Sequence, residues 1–147
     1  MLPKWHIFWG LIFSVIFKLA VPSTPYFYLC LIWFASVFID FDHYLAAGLK
    51  TNSWSIKNAL NHNYEKRDKI ISLKKNKDLC EKGDFHVFHT VEFHLLIGVL
   101  GIFFIPLFFV FVGMVLHSIL DIIWMVYHDL LKSREFFFFS HVRNVFF

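Results

Sequence analysis

Asp40, Asp42 and His43 stand within the six-residue stretch Ile39-Asp-Phe-Asp-His-Tyr44. Two carboxylates and an imidazole at this spacing form a ligand set for a divalent cation, zinc included. They follow an apolar run from Tyr26 to Ile39 that carries no charge. Ionisable groups at the edge of such a run are costly, so by default they mark a functional site. The same chemistry recurs at three other places: His6, the set His86/His89/Glu92, and His117 with Asp121 inside the last apolar run.

Spacing sorts these residues. Successive residues on a helix turn by about 100°. On a helix opened by Asp84 near Phe85, His86, His89 and Glu92 would share one stripe, with His94 off it. His117 and Asp121 are one turn apart and can act as ligand and orienting partner. The expected metal ligands are His6, Asp40, Asp42, His43, His86, His89, His117 and Asp121. Asp42 is also expected as a bridging ligand or general base, and Glu92 as a catalytic or orienting carboxylate. His62, in the charged middle of the chain, reads as a surface histidine.

The elements that must position these groups are apolar. Of the 147 residues, 58% are apolar, 17% are charged and 21 are Phe. Mean hydropathy is +0.59. A soluble domain carries about a quarter of its residues as charges, so the expectation is an integral membrane protein. The fold class expected is all-α: one membrane domain over 1–147, with about four helices in two hairpins. A charged loop over 44–84 joins the hairpins, and 132–147 is an interfacial tail. The first run, Ile7 to Val21, is read as a retained helix, because Pro22-Ser-Thr-Pro25 follows it and reads as a turn. Thr24 is the expected N-cap of the second helix, and Pro25 its first residue. Within the loop, short helices are expected over 55–63 and 70–79. Pro106 should end or kink the helix before it. Cys30 and Cys80 read as free thiols. A net charge of +3 does not suggest a nucleic-acid partner.

The hairpins can bring the clusters level. His6 and Asp40 each lie about 17 residues from the centre of the first turn, so equal helix rise sets them side by side. Glu92 precedes Pro106 by 14 residues and Asp121 follows it by 15, which levels the second pair if a turn forms there. Thirteen of the fourteen Lys and Arg residues lie at the end that carries the clusters. By the positive-inside rule that end, with both termini and the central loop, is cytoplasmic.

The motifs resemble a known family. His6-x-x-x-Gly10, Asp40-x-Asp42-His43, His89-Thr90 and His117-Ser118-Ile-Leu-Asp121 are similar to elements of the membrane-bound metal-dependent hydrolases described as LexA-binding, inner-membrane-associated hydrolases. The chain departs from that pattern in having Ile39 where the family has Pro, and Val87 where an Arg often follows the histidine. A more distant resemblance is to the zinc-dependent phospholipase C and single-strand nuclease superfamily. Together these imply phosphoester hydrolysis on two or more divalent ions, zinc first, with manganese or iron as alternatives. The bilayer and a phospholipid or other phosphoester are the implied partners. The competing classes are a small transporter or proton-relay protein, whose ionisable groups would spread along the membrane depth, and a non-catalytic membrane protein with hydrogen-bonded histidines. No nucleophile elbow surrounds Ser118 and no phosphate-cradling Gly loop occurs.

Overall fold

The computed structural model describes residues 3–75 and 83–146. Among them the chain is all helical, with no strand. α1 (Pro3–Ala20) and α2 (Tyr26–Phe38) are joined by a turn that Lys18 closes. The Lys18 ammonium donates to the carbonyls of Pro22 at 2.6 Å and Thr24 at 2.8 Å. α2 starts one residue after Pro25, and no side chain caps it, Thr24 included. α3 (Phe41–Thr51) follows after a break at Ile39 and Asp40, and ends at Asn52 in the left-handed conformation, where Asn is well tolerated. α4 (Ile56–Lys75) comes next. Then come a 3-10 turn over Val87–His89, α5 (Val91–Phe103), α6 (Ile105–Tyr127), a 3-10 turn over Leu131–Ser133 and α7 (Phe138–Phe146).

Several local expectations change. α4 is one helix of 20 residues where a short helix over 55–63 was expected. The second expected loop helix, over 70–79, runs into residues outside those described, as does Cys80. Cys30 is an exposed free thiol. α5 starts at Val91 and not near Phe85, because Thr90 is its cap: the Thr90 hydroxyl accepts the Phe93 N–H at 3.3 Å. His86 and His89 therefore precede the helix, and the expected helical stripe His86/His89/Glu92 does not form. Pro106 sits in the first turn of α6 behind an extended Phe104, so α5 and α6 are separate helices.

Small residues let the helices approach. A Cβ on Gly113 would collide with the Ile32 carbonyl and Ala35 on α2, and one on Gly10 with Ser36. Ser14 donates to the Gly10 carbonyl at 2.9 Å, and the Trp33 indole to the Ile7 carbonyl at 3.1 Å. Gly101 and Gly98 face Phe108 and Phe111 between α5 and α6. Such small-residue seams carry helix contacts where hydrophobic burial gives little drive.

Polarity runs inside out. The buried residues of α1 are His6, Gly10 and Ser14, and α6 buries His117 and Asp121. The outward faces hold large apolar side chains, with Leu19 75%, Ile102 76% and Phe103 83% exposed. Two helical stretches, Tyr26–Thr51 and Ile105–Tyr127, are long and apolar enough to cross a membrane, and Val91–Phe103 is a shorter apolar helix.

Candidate metal centre

The break between α2 and α3 decides the site. It turns Asp40 inward at the end of one apolar helix, and places Asp42 and His43 on the first turn of the next. α1 brings His6 alongside, where its ring stacks on His117 at a centroid distance of 3.8 Å. α6 supplies His117 and Asp121, one turn apart. The segment ahead of α5 supplies His86 and His89.

The contacts converge on Asp40 Oδ1. His117 Nε2 lies 3.4 Å from it, and the Nε2 atoms of His89 and His43 each lie 3.5 Å away. His6 Nε2 is 3.3 Å from Asp121 Oδ1, and His117 Nε2 is 3.6 Å from Asp121 Oδ2. His86 Nδ1 is 3.7 Å from Asp42 Oδ1. Four overlapping groups place one ligand atom per residue within 4.8 Å of one another: His6/Asp40/His117, Asp40/His43/His89, Asp42/His43/His86 and His89/His117/Asp121. The eight residues expected as ligands are the members of these groups.

Hydrogen bonds fix which nitrogens carry lone pairs. His117 Nδ1 is 2.8 Å from the Ser36 carbonyl oxygen, so it must carry the proton and donate. A neutral His117 therefore presents a bare Nε2. His89 Nδ1 is 3.1 Å from Asp42 Oδ2, which also accepts the Phe88 N–H at 3.0 Å. A carboxylate only accepts, so a neutral His89 also presents a bare Nε2. These two Nε2 atoms are 3.1 Å apart. Two lone pairs with a carboxylate oxygen beside them need a positive charge in their midst: a proton on His89 or a metal ion. Nitrogens bound to one ion at about 2.0–2.1 Å stand roughly 3 Å apart, so the spacing suits an ion.

Unsatisfied atoms point the same way. Both ring nitrogens of His6, Asp42 Oδ1 and His86 Nδ1 are buried without a hydrogen bond. Burial disfavours charge on His86 and lowers its pKa to about 4 despite Asp42 nearby, so at neutral pH it is a neutral ligand-type imidazole. Burial acts on His89 in the same sense, but hydrogen bonds to Asp40 and Asp42 outweigh it and its pKa is raised. The cluster, before any ion enters it, calls for positive charge at His89.

Other groups fall elsewhere. Glu92 is away from the cluster; its carboxylate accepts the Phe138 N–H at 2.9 Å and the Phe139 N–H at 3.4 Å, capping α7. His94 bonds Ser118 at 2.9 Å and the Thr90 carbonyl at 2.9 Å. His128 bonds the Trp124 carbonyl and His141 bonds Glu135, at 2.9 and 2.8 Å. His62 lies 3.6 Å from Asp84.

Two partners escaped sequence reasoning. Arg134 Nη1 donates to Asp121 Oδ2 at 2.7 Å. The stretch expected as an interfacial tail thus enters the site through Ser133 and Arg134. The Ser36 carbonyl is the other, and a backbone acceptor leaves no mark in residue type.

α4 covers the cluster. It packs on α3, where Trp54 lies over Gly48 and the Tyr44 hydroxyl donates to the Trp54 carbonyl at 2.5 Å. Asp84 ties it down, pairing with Lys50 of α3 and Lys66 of α4. Burial raises the Asp84 pKa, but hydrogen bonds from Lys50 and Lys66 prevail and hold it at about 2. Beneath α4 lies a cavity of about 310 Å³ that reaches Asp40, His43, His86, Asp121 and Arg134.

No family model, no curated protein and no solved structure matches the chain. The buried His and Asp groups could hold a metal ion on their own chemistry and geometry.

Proposed function

We propose that this protein is an integral membrane, metal-dependent hydrolase acting on a phosphoester. The observation that carries the reading is the pair of Nε2 atoms, on His89 and His117, facing each other at 3.1 Å beside Asp40. Both rings have their other nitrogen committed to an acceptor, the arrangement by which proteins aim imidazoles at a metal.

In this reading the two hairpins, α1–α2 and α5–α6, span the bilayer with their apolar faces outward. The cluster opens to the cytoplasmic side, which the distribution of Lys and Arg favours. His6, Asp40 and His117 would hold one ion, and Asp40, His43 and His89 would hold a second. Zinc suits the imidazole-rich set, and manganese or iron suits the carboxylates. Ions held here would polarise a phosphoryl oxygen and make water a competent nucleophile at neutral pH.

The chain's own residues do the rest. Asp42 holds His89 through Nδ1 and the segment ahead of α5 through the Phe88 N–H. Arg134 holds Asp121. α4 forms one wall of the cavity beside the cluster. Glu92 does not take part in the chemistry, since it is engaged with α7. A transporter or proton relay expects ionisable groups strung along the membrane depth; here the His and Asp groups gather in one cluster, with His117 at the middle of α6. The resemblance to membrane-bound metal-dependent hydrolases supports the same class.

Element analysis of the detergent-purified chain tests the metal, and release of phosphate or alcohol from a panel of phosphoesters tests the reaction. Protein prepared with metal available that holds none, or metal-loaded protein inert on every phosphoester, contradicts the proposal in its first or second part.

A further inference from the structure

The cavity under α4 has a use that the ligand cluster alone does not give it. A volume of about 310 Å³ is that of a small-ligand pocket. Its walls differ in character. At one end stand Asp40, His43, His86, Asp121 and Arg134. The remainder is mostly apolar, with Ile56, Leu60 and Ile70 from α4 opposite Trp124, Met125 and Leu130.

Arg134 is the group at the junction. Its Nη1 donates to Asp121, but its Nη2 is buried and has no hydrogen-bond partner. A buried guanidinium donor left unpaired is costly, and the planar fork suits two acceptor oxygens at once. Lys66 and Arg67 also line the cavity from α4, but Lys66 is paired with Asp84 and Arg67 with Asp68, which leaves Arg134 Nη2 as the uncommitted cationic donor on this wall. Such a chamber is complementary to an amphiphile with an anionic head. The head fits against the Arg134 Nη2 donor; a chain fits along the apolar wall.

We infer that this cavity is the substrate site, that Arg134 Nη2 receives an oxygen of the substrate's phosphoryl group, and that an apolar chain on that group lies between α4 and α6. The inference deepens the hydrolase reading by naming the substrate class and the residue that selects it. Arg134 acts as a positioning and specificity residue.

The test is binding, on the full chain in lipid nanodiscs, followed by tryptophan fluorescence with Trp124 as the reporter in the cavity wall. Protein-free discs correct for partitioning, and metal content is measured on every sample. The probes are propylphosphonate, octylphosphonate, inorganic phosphate and octyltrimethylammonium. Wild type should bind octylphosphonate at least tenfold more tightly than propylphosphonate or inorganic phosphate. Arg134→Gln should weaken octylphosphonate at least tenfold and leave octyltrimethylammonium unchanged, and Arg134→Lys should recover part of the loss. Leu60→Phe, which narrows the slot without touching the cluster, should remove the preference for the longer chain. Equal affinity for inorganic phosphate and octylphosphonate overturns the apolar-chain assignment. Undiminished octylphosphonate binding by Arg134→Gln overturns the role of Arg134. Arg134-dependent binding in protein that holds no metal supports the cavity assignment and contradicts the metal centre, so the two failures are distinguishable.

Discussion

His117 donates its Nδ1–H to the carbonyl of Ser36, 2.8 Å away, across the contact between α6 and α2. The bond crosses 81 residues of sequence. It is possible because Gly113, one turn earlier on α6, lets the α2 backbone come close. A helix-packing seam thereby fixes the tautomer of a metal-type histidine. Asp42 does the same for His89 from the other side of the cluster.

Asp42 should therefore matter through His89. Replacing Asp42 with Ala removes the acceptor for His89 Nδ1 and for the Phe88 N–H. Loss of such an orienting carboxylate typically lowers metal affinity about 10–100-fold. Competition against a chelator of known affinity measures it. An unchanged affinity would show that Asp42 neither orients His89 nor binds the ion.

Proton and metal should compete at His89. Its folded-state pKa is raised from the ordinary 6.5, so without an ion it holds a proton below that raised value. Binding an ion to Nε2 must displace the proton. Affinity should then fall as pH drops through the raised value, with proton release on binding, and level off above it. His86, with a pKa of about 4, adds a second loss only in acid. Calorimetric titrations in buffers of different ionisation enthalpy count the protons. An affinity that does not vary between pH 6 and 8 would contradict the assignment of His89 Nε2 as a ligand.

The seam at Gly113 should be intolerant. A Cβ there meets the backbone carbonyl of Ile32, which cannot rotate away, whereas one on Gly98 meets only the edge of the Phe111 ring. Gly113→Ala should cost about 1–3 kcal/mol, the usual range for overpacking, and should also lower metal affinity by shifting Ser36. Gly98→Ala should cost less. Thermal unfolding of both variants in the same detergent checks the order; equal losses would contradict the packing account.

Asp84 should act as the fastener of α4. With its pKa held at about 2 against 3.8 for a free Asp, it adds stability that is present above the ordinary value and lost as pH falls towards 2. Asp84→Asn removes the charge that Lys50 and Lys66 share. Trypsin should then cut at Lys66, Arg67 and Lys69 faster, by several fold, while metal content stays near wild type. Unaltered cleavage of the variant would show that α4 is held by its packing on α3 alone.

Much of the site was legible because ionisable residues inside apolar runs have few other reasons to be there. Asp40, His117 and Asp121 stood out on that ground, and the hairpin count placed His6 beside Asp40. The region before α5 read less well. Its His-x-x-His-x-x-Glu spacing mimics a helical stripe, but the Thr90 cap starts the helix only at Val91 and sends Glu92 towards α7. Arg134 could not be found, since it reaches Asp121 through a 3-10 turn that no periodicity announces. The role of α4 was hidden for a similar reason. Its mixed charges look like a solvated helix, and only the fold shows Ile56, Leu60 and Ile70 facing the cluster's cavity.

Metal content of the purified chain is the most direct test. Wild type prepared with zinc, manganese and iron available should retain one or more ions per chain through dialysis, measured by plasma mass spectrometry. The Asp40→Ala/His117→Ala double variant should retain none while keeping its helical circular dichroism. Folded wild type that holds less than one ion per chain would contradict the account, and would leave a protonated His89 as the charge between the two imidazoles.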